Sequence, residues 1–146
     1  MLAQDPNVAL SLAADLNLDD FHQAAVKDYQ GAFVLMDLFR PGLAPACMDL
    51  VWNSSSVEEL PDPEQAVRAM AWLAKPGGRV FVGVPYKYGP AGLLSRVLSQ
   101  RARTWLGRMY TRPDLRRLME AADLQVEAEL TYLAGTFIGM LATKSI

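Results

Sequence analysis

The chain has 146 residues, 51% of them apolar and 21% charged, with a formal net charge of −2; that is the balance of a globular domain able to bury a core, and it excludes a global basic field for nucleic acid. One cysteine, Cys47, and one histidine, His22, exclude an internal disulfide and argue against any metal centre. No apolar run approaches the roughly 18 residues of a spanning helix, and residues 1–14 carry Asp5 and Pro6 without a basic start, so no signal peptide is read and a cytoplasmic setting is expected.

In chain order, Val8–Ala14 is a short apolar run closed by Asp15, the pattern of a buried strand. Asn17, Asp19 and Asp20 then supply cap and first-turn acids for a helix through Tyr29, with Gly31 at its end. Ala32–Met36 is a second apolar run closed by an acid, Asp37, and Pro41, Gly42 and Pro45 mark a loop. Met48–Trp52 is a third strand, followed by the polar loop Asn53-Ser54-Ser55-Ser56. Asp62 and Pro63 start a helix whose apolar stripe is Ala66, Val67, Met70 and Leu73, and Lys75-Pro76-Gly77-Gly78 stops it. Arg79–Val84 is a fourth strand, rich in β-branched residues.

The second half predicts a basic amphipathic helix over 91–109, broken near Gly107, and another over 112–122 with Thr111 as N-cap and Pro113 in its first turn. Gln125–Leu133 and Thr136–Thr143 predict two strands joined around Gly135, and their alternation suits an antiparallel pair with one wetter face. Strands alternating with helices predict an open α/β sheet, whose ligand site lies beyond the carboxyl ends of its strands. The loops after Trp52 and Val84 are therefore where chemistry is expected. No repeat, low-complexity tract or break between domains is visible, so residues 1–146 read as one domain.

Four segments carry a resemblance: DLVWNSSSVEEL, PDPEQAVRAM, LAKPGGRVFVGVP and YTRPDLRRLMEAADLQV, all in one order within 49–127. In these the chain resembles the class I S-adenosylmethionine-dependent methyltransferases, and the Lys-Pro-Gly-Gly-Arg turn before an apolar strand is the most specific match. The resemblance implies a three-layer, Rossmann-like sheet, mostly parallel with an antiparallel C-terminal edge. It implies S-adenosylmethionine as cofactor and methyl transfer to a small-molecule acceptor. Carried over residue by residue, Asp15 corresponds to the acid that accepts from the cofactor ribose, because two oxygens match a vicinal diol. Asp37 corresponds to the acid beside the adenine amino group, with Leu38 packing near the base. Asn53 and Ser54 fall beside the methionine end. Glu59, Tyr86 and Tyr110 fall on the acceptor side, where catalytic residues are expected.

Two departures matter. In dinucleotide-binding folds a ribose acid lies roughly 20 residues after a glycine-rich turn, but only 14 residues precede Asp15, none of them glycine. The first family strand and its glycine loop are thus expected to be missing. The absent strand would lie between the Val8 and Met48 strands, so its loss leaves two unpaired edges, forces those strands together, or invites a second copy of the chain to pair there. Glu58-Glu59 also stands where many relatives have Glu-His, which replaces a neutral-pH proton carrier with an acid that needs a raised pKa to act as a base. Asp15 and Asp37 also fit plain strand-end turn formers. The rival functional expectation is a non-catalytic methyltransferase remnant that acts as an interaction or dimerisation module.

Seven of the fourteen basic residues lie between Arg96 and Arg117. Such a helix can touch an anionic membrane surface, although the same pattern describes a solvated helix packed on the sheet.

Overall fold

A computed structural model of the protein describes residues 5–17, 19, 29, 31–94 and 107–145. The chain divides into two compact units, Met1–Gly42 and Leu43–Ile146, and the division falls in the Pro-Gly loop.

The first unit contains β1 (Leu12–Asp15) and β2 (Ala32–Leu35), paired in parallel with Asp15 opposite Leu35. The ladder continues at its carboxyl end, where the Met36 N–H donates to the Asp15 carbonyl at 2.9 Å. β1 begins later than the apolar run suggests: the strand starts at Leu12, and before it only the Ser11 carbonyl joins the ladder, accepting from the Ala32 N–H at 2.9 Å. The helix expected between these strands, His22 included, lies outside the described residues apart from Asp19 and Tyr29.

The second unit contains β3 (Met48–Ser54), α1 (Pro63–Leu73), β4 (Ala74–Pro85), α2 (Pro90–Leu94), α3 (Arg112–Glu120), β5 (Leu124–Tyr132) and β6 (Phe137–Lys144). Its sheet runs in the order β3-β4-β6-β5. β3 and β4 are parallel, whereas β4–β6 and β5–β6 are antiparallel. A mixed sheet with an antiparallel C-terminal edge is what the sequence predicts, and the one parallel pair in this sheet is β3–β4. Among the described residues β1 has one strand neighbour in its own sheet, and so does β3 in its own.

The pleat sorts the core. Val80, Val82 and Val84 of β4, with Ile138, Met140 and Ala142 of β6, fall on one face and are fully buried. Ala66, Val67, Met70 and Leu73 of α1 and Leu115 and Met119 of α3 complete this core. Each of these larger side chains contributes about 1.5–3 kcal/mol by leaving water. The opposite face carries Trp52 stacked on Phe81 at 3.8 Å, with Trp52 still 53% exposed.

The helix starts predicted at Asp62 and at Thr111 are present. Asp62 accepts from the Gln65 N–H at 2.9 Å. Thr111 and Asp114 form a reciprocal capping box ahead of α3, satisfying two otherwise orphaned N–H groups. Lys75–Gly78 do stop α1, but they are absorbed into β4 as an irregularity: the register jumps between Met48–Ala74 and Leu50–Arg79, and Gly77 takes a φ of 73°. The basic helix expected over 91–109 is helical over Pro90–Leu94 and not helical over residues 107–109; Arg96, Arg101 and Arg103 lie outside the described residues.

Candidate functional site

At the carboxyl end of β3 the backbone turns sharply. The Ser55 N–H still donates to the Gly83 carbonyl at 2.9 Å, but Ser55 itself adopts a φ of 67°. A left-handed serine is costly by about 1–2 kcal/mol, and such strain concentrates at working sites. The turn carries the chain into a single 3-10 turn over Val57–Glu59. There Val57 and Glu58 point inward and Glu59 points to solvent. Ser55 Oγ donates to Glu58 Oε1 at 2.9 Å.

Glu58 is 6% exposed, and it is the buried charged residue among those described. Burial pushes its carboxyl pKa up, assisted by neighbouring Glu59 and opposed by its own backbone N–H and Ser55. The segment 107–110 closes over it. The Arg108 N–H lies 3.4 Å from the Glu58 carbonyl, and a Cβ on Gly107, whose φ is 60°, would stand 3.1 Å from Glu58 Cγ. Tyr110 then extends the sheet beside β4: its N–H donates to the Pro85 carbonyl at 3.0 Å, and its carbonyl accepts from Lys87 at 2.9 Å. Tyr86 and Tyr110 are thereby bridged side by side. Burial raises the Tyr110 pKa, with Arg108 opposing and the Glu58 charge adding to the rise.

Three buried side-chain atoms at this end of the sheet lack a hydrogen-bond partner: Asn53 Oδ1, Glu58 Oε2 and Tyr110 Oη. A buried orphan of this kind costs about 1–3 kcal/mol, so each is a position where a ligand atom would be welcome. Ser54, by contrast, has a partner. Its Oγ lies 2.8 Å from Tyr132 Oη, which reaches it from β5 across the sheet. The paired glycines Gly83 and Gly139 make that crossing possible, since a Cβ on either would run into the Tyr132 or Phe81 ring. Burial raises the Tyr132 pKa too, with Ser54 opposing and Glu58 adding. Tyr86 is half-buried, with the Arg112 guanidinium 5.6 Å from its ring centre, a cation–π contact.

In the first unit, Asp15 and Asp37 stand at the carboxyl ends of adjacent parallel strands. Asp15 Oδ1 accepts from the Asn17 N–H at 2.8 Å, and Asp37 Oδ1 accepts from the Phe39 N–H at 2.9 Å. Both are Asx turns, so each acid does form its local turn. Each turn uses a single oxygen, and among the described residues the second oxygen of each carboxylate has no bond. Leu38 follows Asp37, half-buried.

The structure therefore brings Asn53, Ser54 and Tyr110 to one sheet end with Tyr86, and Asp15 and Asp37 to one edge of the other unit. Glu59 lies on the exposed side of its turn. Sequence reasoning passed over the buried Glu58 and did not consider Tyr132; the Gly83 within an apolar strand is the signal that a ring crosses there. Arg112 and Arg116 pair with Glu129, and Arg117 pairs with Asp114. Among the described residues no cluster of three His, Cys, Asp or Glu could hold a metal ion, and no helix is long and apolar enough to cross a membrane.

A family model described as a methyltransferase domain matches residues 4–129. A curated relative, the ubiquinone biosynthesis O-methyltransferase of Ralstonia nicotianae, is 41% identical over 51 residues, covering 35% of this chain and 21% of its own length. The match thus spans about a fifth of that relative. Among solved structures, a SAM-dependent methyltransferase of Thermotoga maritima superposes with a TM-score of 0.76 at 15% identity, over 92% of this chain and 73% of its own. The 1,6-didemethyltoxoflavin-N1-methyltransferase of Burkholderia thailandensis, bound to 1,6-didemethyltoxoflavin and S-adenosylhomocysteine, superposes at 0.64 with 20% identity, over 92% and 61%. At those identities the superpositions establish the fold, a Rossmann-like methyltransferase sheet.

Proposed function

The chain belongs to the methyltransferase domain family, and on that premise we propose that it transfers a methyl group from S-adenosylmethionine to a small-molecule acceptor. The observation that carries this reading is the pair of carboxylates, Asp15 and Asp37, at adjacent β-strand termini, each with one oxygen that makes no hydrogen bond among the described residues. Two relatives support the chemistry: one is an O-methyltransferase, and another binds 1,6-didemethyltoxoflavin and S-adenosylhomocysteine.

Each unit, taken by itself, carries residues with the chemistry such a cofactor needs. Asp15 would accept from the ribose hydroxyls and Asp37 from the adenine amino group, with Leu38 against the base. The buried, partnerless Asn53 Oδ1 would accept from the amino-acid end, beside Ser54. When bound, S-adenosylmethionine supplies a methyl carbon made electrophilic by its sulfonium. The chain's part is alignment of the acceptor and exclusion of water, so positioning is the main demand. Tyr86 and Tyr110 flank the acceptor, and the exposed Glu59 orients it from the rim. A cytoplasmic setting goes with this reading, with Cys47 remaining a free thiol.

Calorimetric titration of the purified chain with S-adenosylhomocysteine tests it. Micromolar affinity is expected, and Asp15→Asn should weaken it about tenfold, the worth of a hydrogen bond to a charged group. A folded chain that gives no heat overturns the proposal.

A further inference from the structure

We propose that Glu58, with Tyr110 beside it, is the group that grips the acceptor molecule, and that the acceptor is an uncharged compound presenting a hydroxyl at this point. The inference rests on the methyl-transfer reading and adds to it the class of acceptor and the residue that recognises it.

The geometry is specific. Glu58 Oε1 is engaged by Ser55 Oγ at 2.9 Å, which fixes the carboxyl plane and leaves Oε2 buried without a partner. Tyr110 Oη is likewise buried and has no partner at hydrogen-bonding geometry, although the Arg108 side chain acts on it from nearby, and the Glu58 charge reaches it. Two structural features hold this arrangement: the left-handed Ser55, and the left-handed Gly107 that lets the backbone press on Glu58. A fold carrying two orphaned polar atoms at one end of its sheet gives up stability at each, and a hydroxyl bound where it reaches both satisfies them. Its hydrogen is donated to Glu58 Oε2, and its oxygen accepts from Tyr110 Oη.

The charged and titratable groups around Glu58 favour a neutral partner. Glu59 stands on its own turn, the Tyr110 and Tyr132 phenols face it from the sheet, and Arg108 is turned toward Tyr110. No cation forms a salt bridge with Glu58 among the described residues. Burial resists ionisation of the carboxyl. An ammonium ion would need the ionised form and would itself lose hydration. A hydroxyl bonds to either form, because a protonated carboxyl still offers an acceptor oxygen.

Three probes of similar size separate the cases: phenol, anisole (the same ring without the donor) and benzylamine (the ammonium arm). The full chain carries carboxyl-13C glutamate, and the Glu58 resonance is assigned with Glu58→Gln. Phenol is expected to move that resonance, to bind about tenfold more weakly to Glu58→Gln, and to bind more weakly to Tyr110→Phe. Anisole should leave the resonance in place. Equal binding of phenol and anisole overturns the proposal, and so does a response to benzylamine with none to phenol. The comparison of phenol with anisole needs only the unmodified chain, so it stands even if a variant fails to fold. S-adenosylhomocysteine is titrated into the same sample. Heat without a phenol response removes this inference and leaves the methyl-transfer reading; no heat removes that reading whatever phenol does.

Discussion

Glu58 and Glu59 are adjacent in sequence and identical in chemistry, and one turn of backbone separates their fates. The carboxyl of Glu58 is buried and its pKa is raised chiefly by desolvation. That shift fixes the sign of a pH effect. Below the ordinary carboxylate value of 4.5 both folded and unfolded chains hold the proton, and stability is unaffected. As pH rises, the unfolded chain releases its proton first, so the folded state becomes relatively less stable until the folded pKa is passed. The stability of the wild type relative to Glu58→Gln should therefore fall as pH rises above 4.5, then level off once the folded carboxyl has ionised as well. Thermal melts of the two proteins across that range check this. A constant difference would mean that the carboxyl titrates as a solvated one. Asp114 has the opposite sign, because the Thr111 hydroxyl and N–H hold its pKa down; its contribution is lost only as pH falls below 3.8, outside this window.

At the scale of elements, α3 depends on its start. It is nine residues long with two buried apolar side chains, Leu115 and Met119, and helices this short are marginal without tertiary packing and caps. Removing the Thr111 hydroxyl takes away both the acceptor of the Asp114 N–H and the donor to Asp114 Oδ2 at 2.6 Å, and leaves only the Thr111 backbone N–H on that carboxylate. Thr111→Ala should cost about 1 kcal/mol, as N-cap deletions do, read as a lower denaturant midpoint at unchanged slope. Starts of this kind were legible in the sequence, because a cap is a local chemical device: Asp62-Pro63 and Thr111-x-Pro113-Asp114 announce themselves. The β5–β6 pair was legible for the same reason, through its alternation and its Gly135 turn. The inward phase of the 3-10 turn was not. In Val57-Glu58-Glu59-Leu60 either acid can face the core, and only the left-handed Ser55 and the packing of Gly107 decide it. Tyr132 was illegible too, because its partner Ser54 lies 78 residues away, three strands across the sheet. The absorption of Lys75–Gly78 into β4 likewise comes from pairing with β3, a long-range term that a glycine turn does not reveal.

At the scale of the whole molecule, the two units have unequal means of resisting opening. β1 and β2 share four paired positions, and their described side chains are half-buried or exposed. In the other unit β4 is paired on both sides and lies under a fully buried apolar layer. Two short strands rarely persist alone in water, and local opening free energies scale with buried contacts. Native-state hydrogen exchange should therefore show the amides of Ala32 and Met36 exchanging through a lower-energy opening than those of Val80, Val82 and Met140. Identical protection in both units at every denaturant concentration would mean that the chain opens only as a whole. The same experiment locates ligand binding. A ligand at about 100 times its Kd adds about 2.7 kcal/mol to whatever opening exposes its site. If Asp15 and Asp37 bind the nucleoside, S-adenosylhomocysteine raises the protection of Ala32 and Met36 most, because their opening dismantles the strand ends that carry both acids. A rise confined to Val80, Val82 and Met140 would place the binding energy on the sheet end of Asn53 and Tyr110 and remove the two acids from the cofactor's contacts.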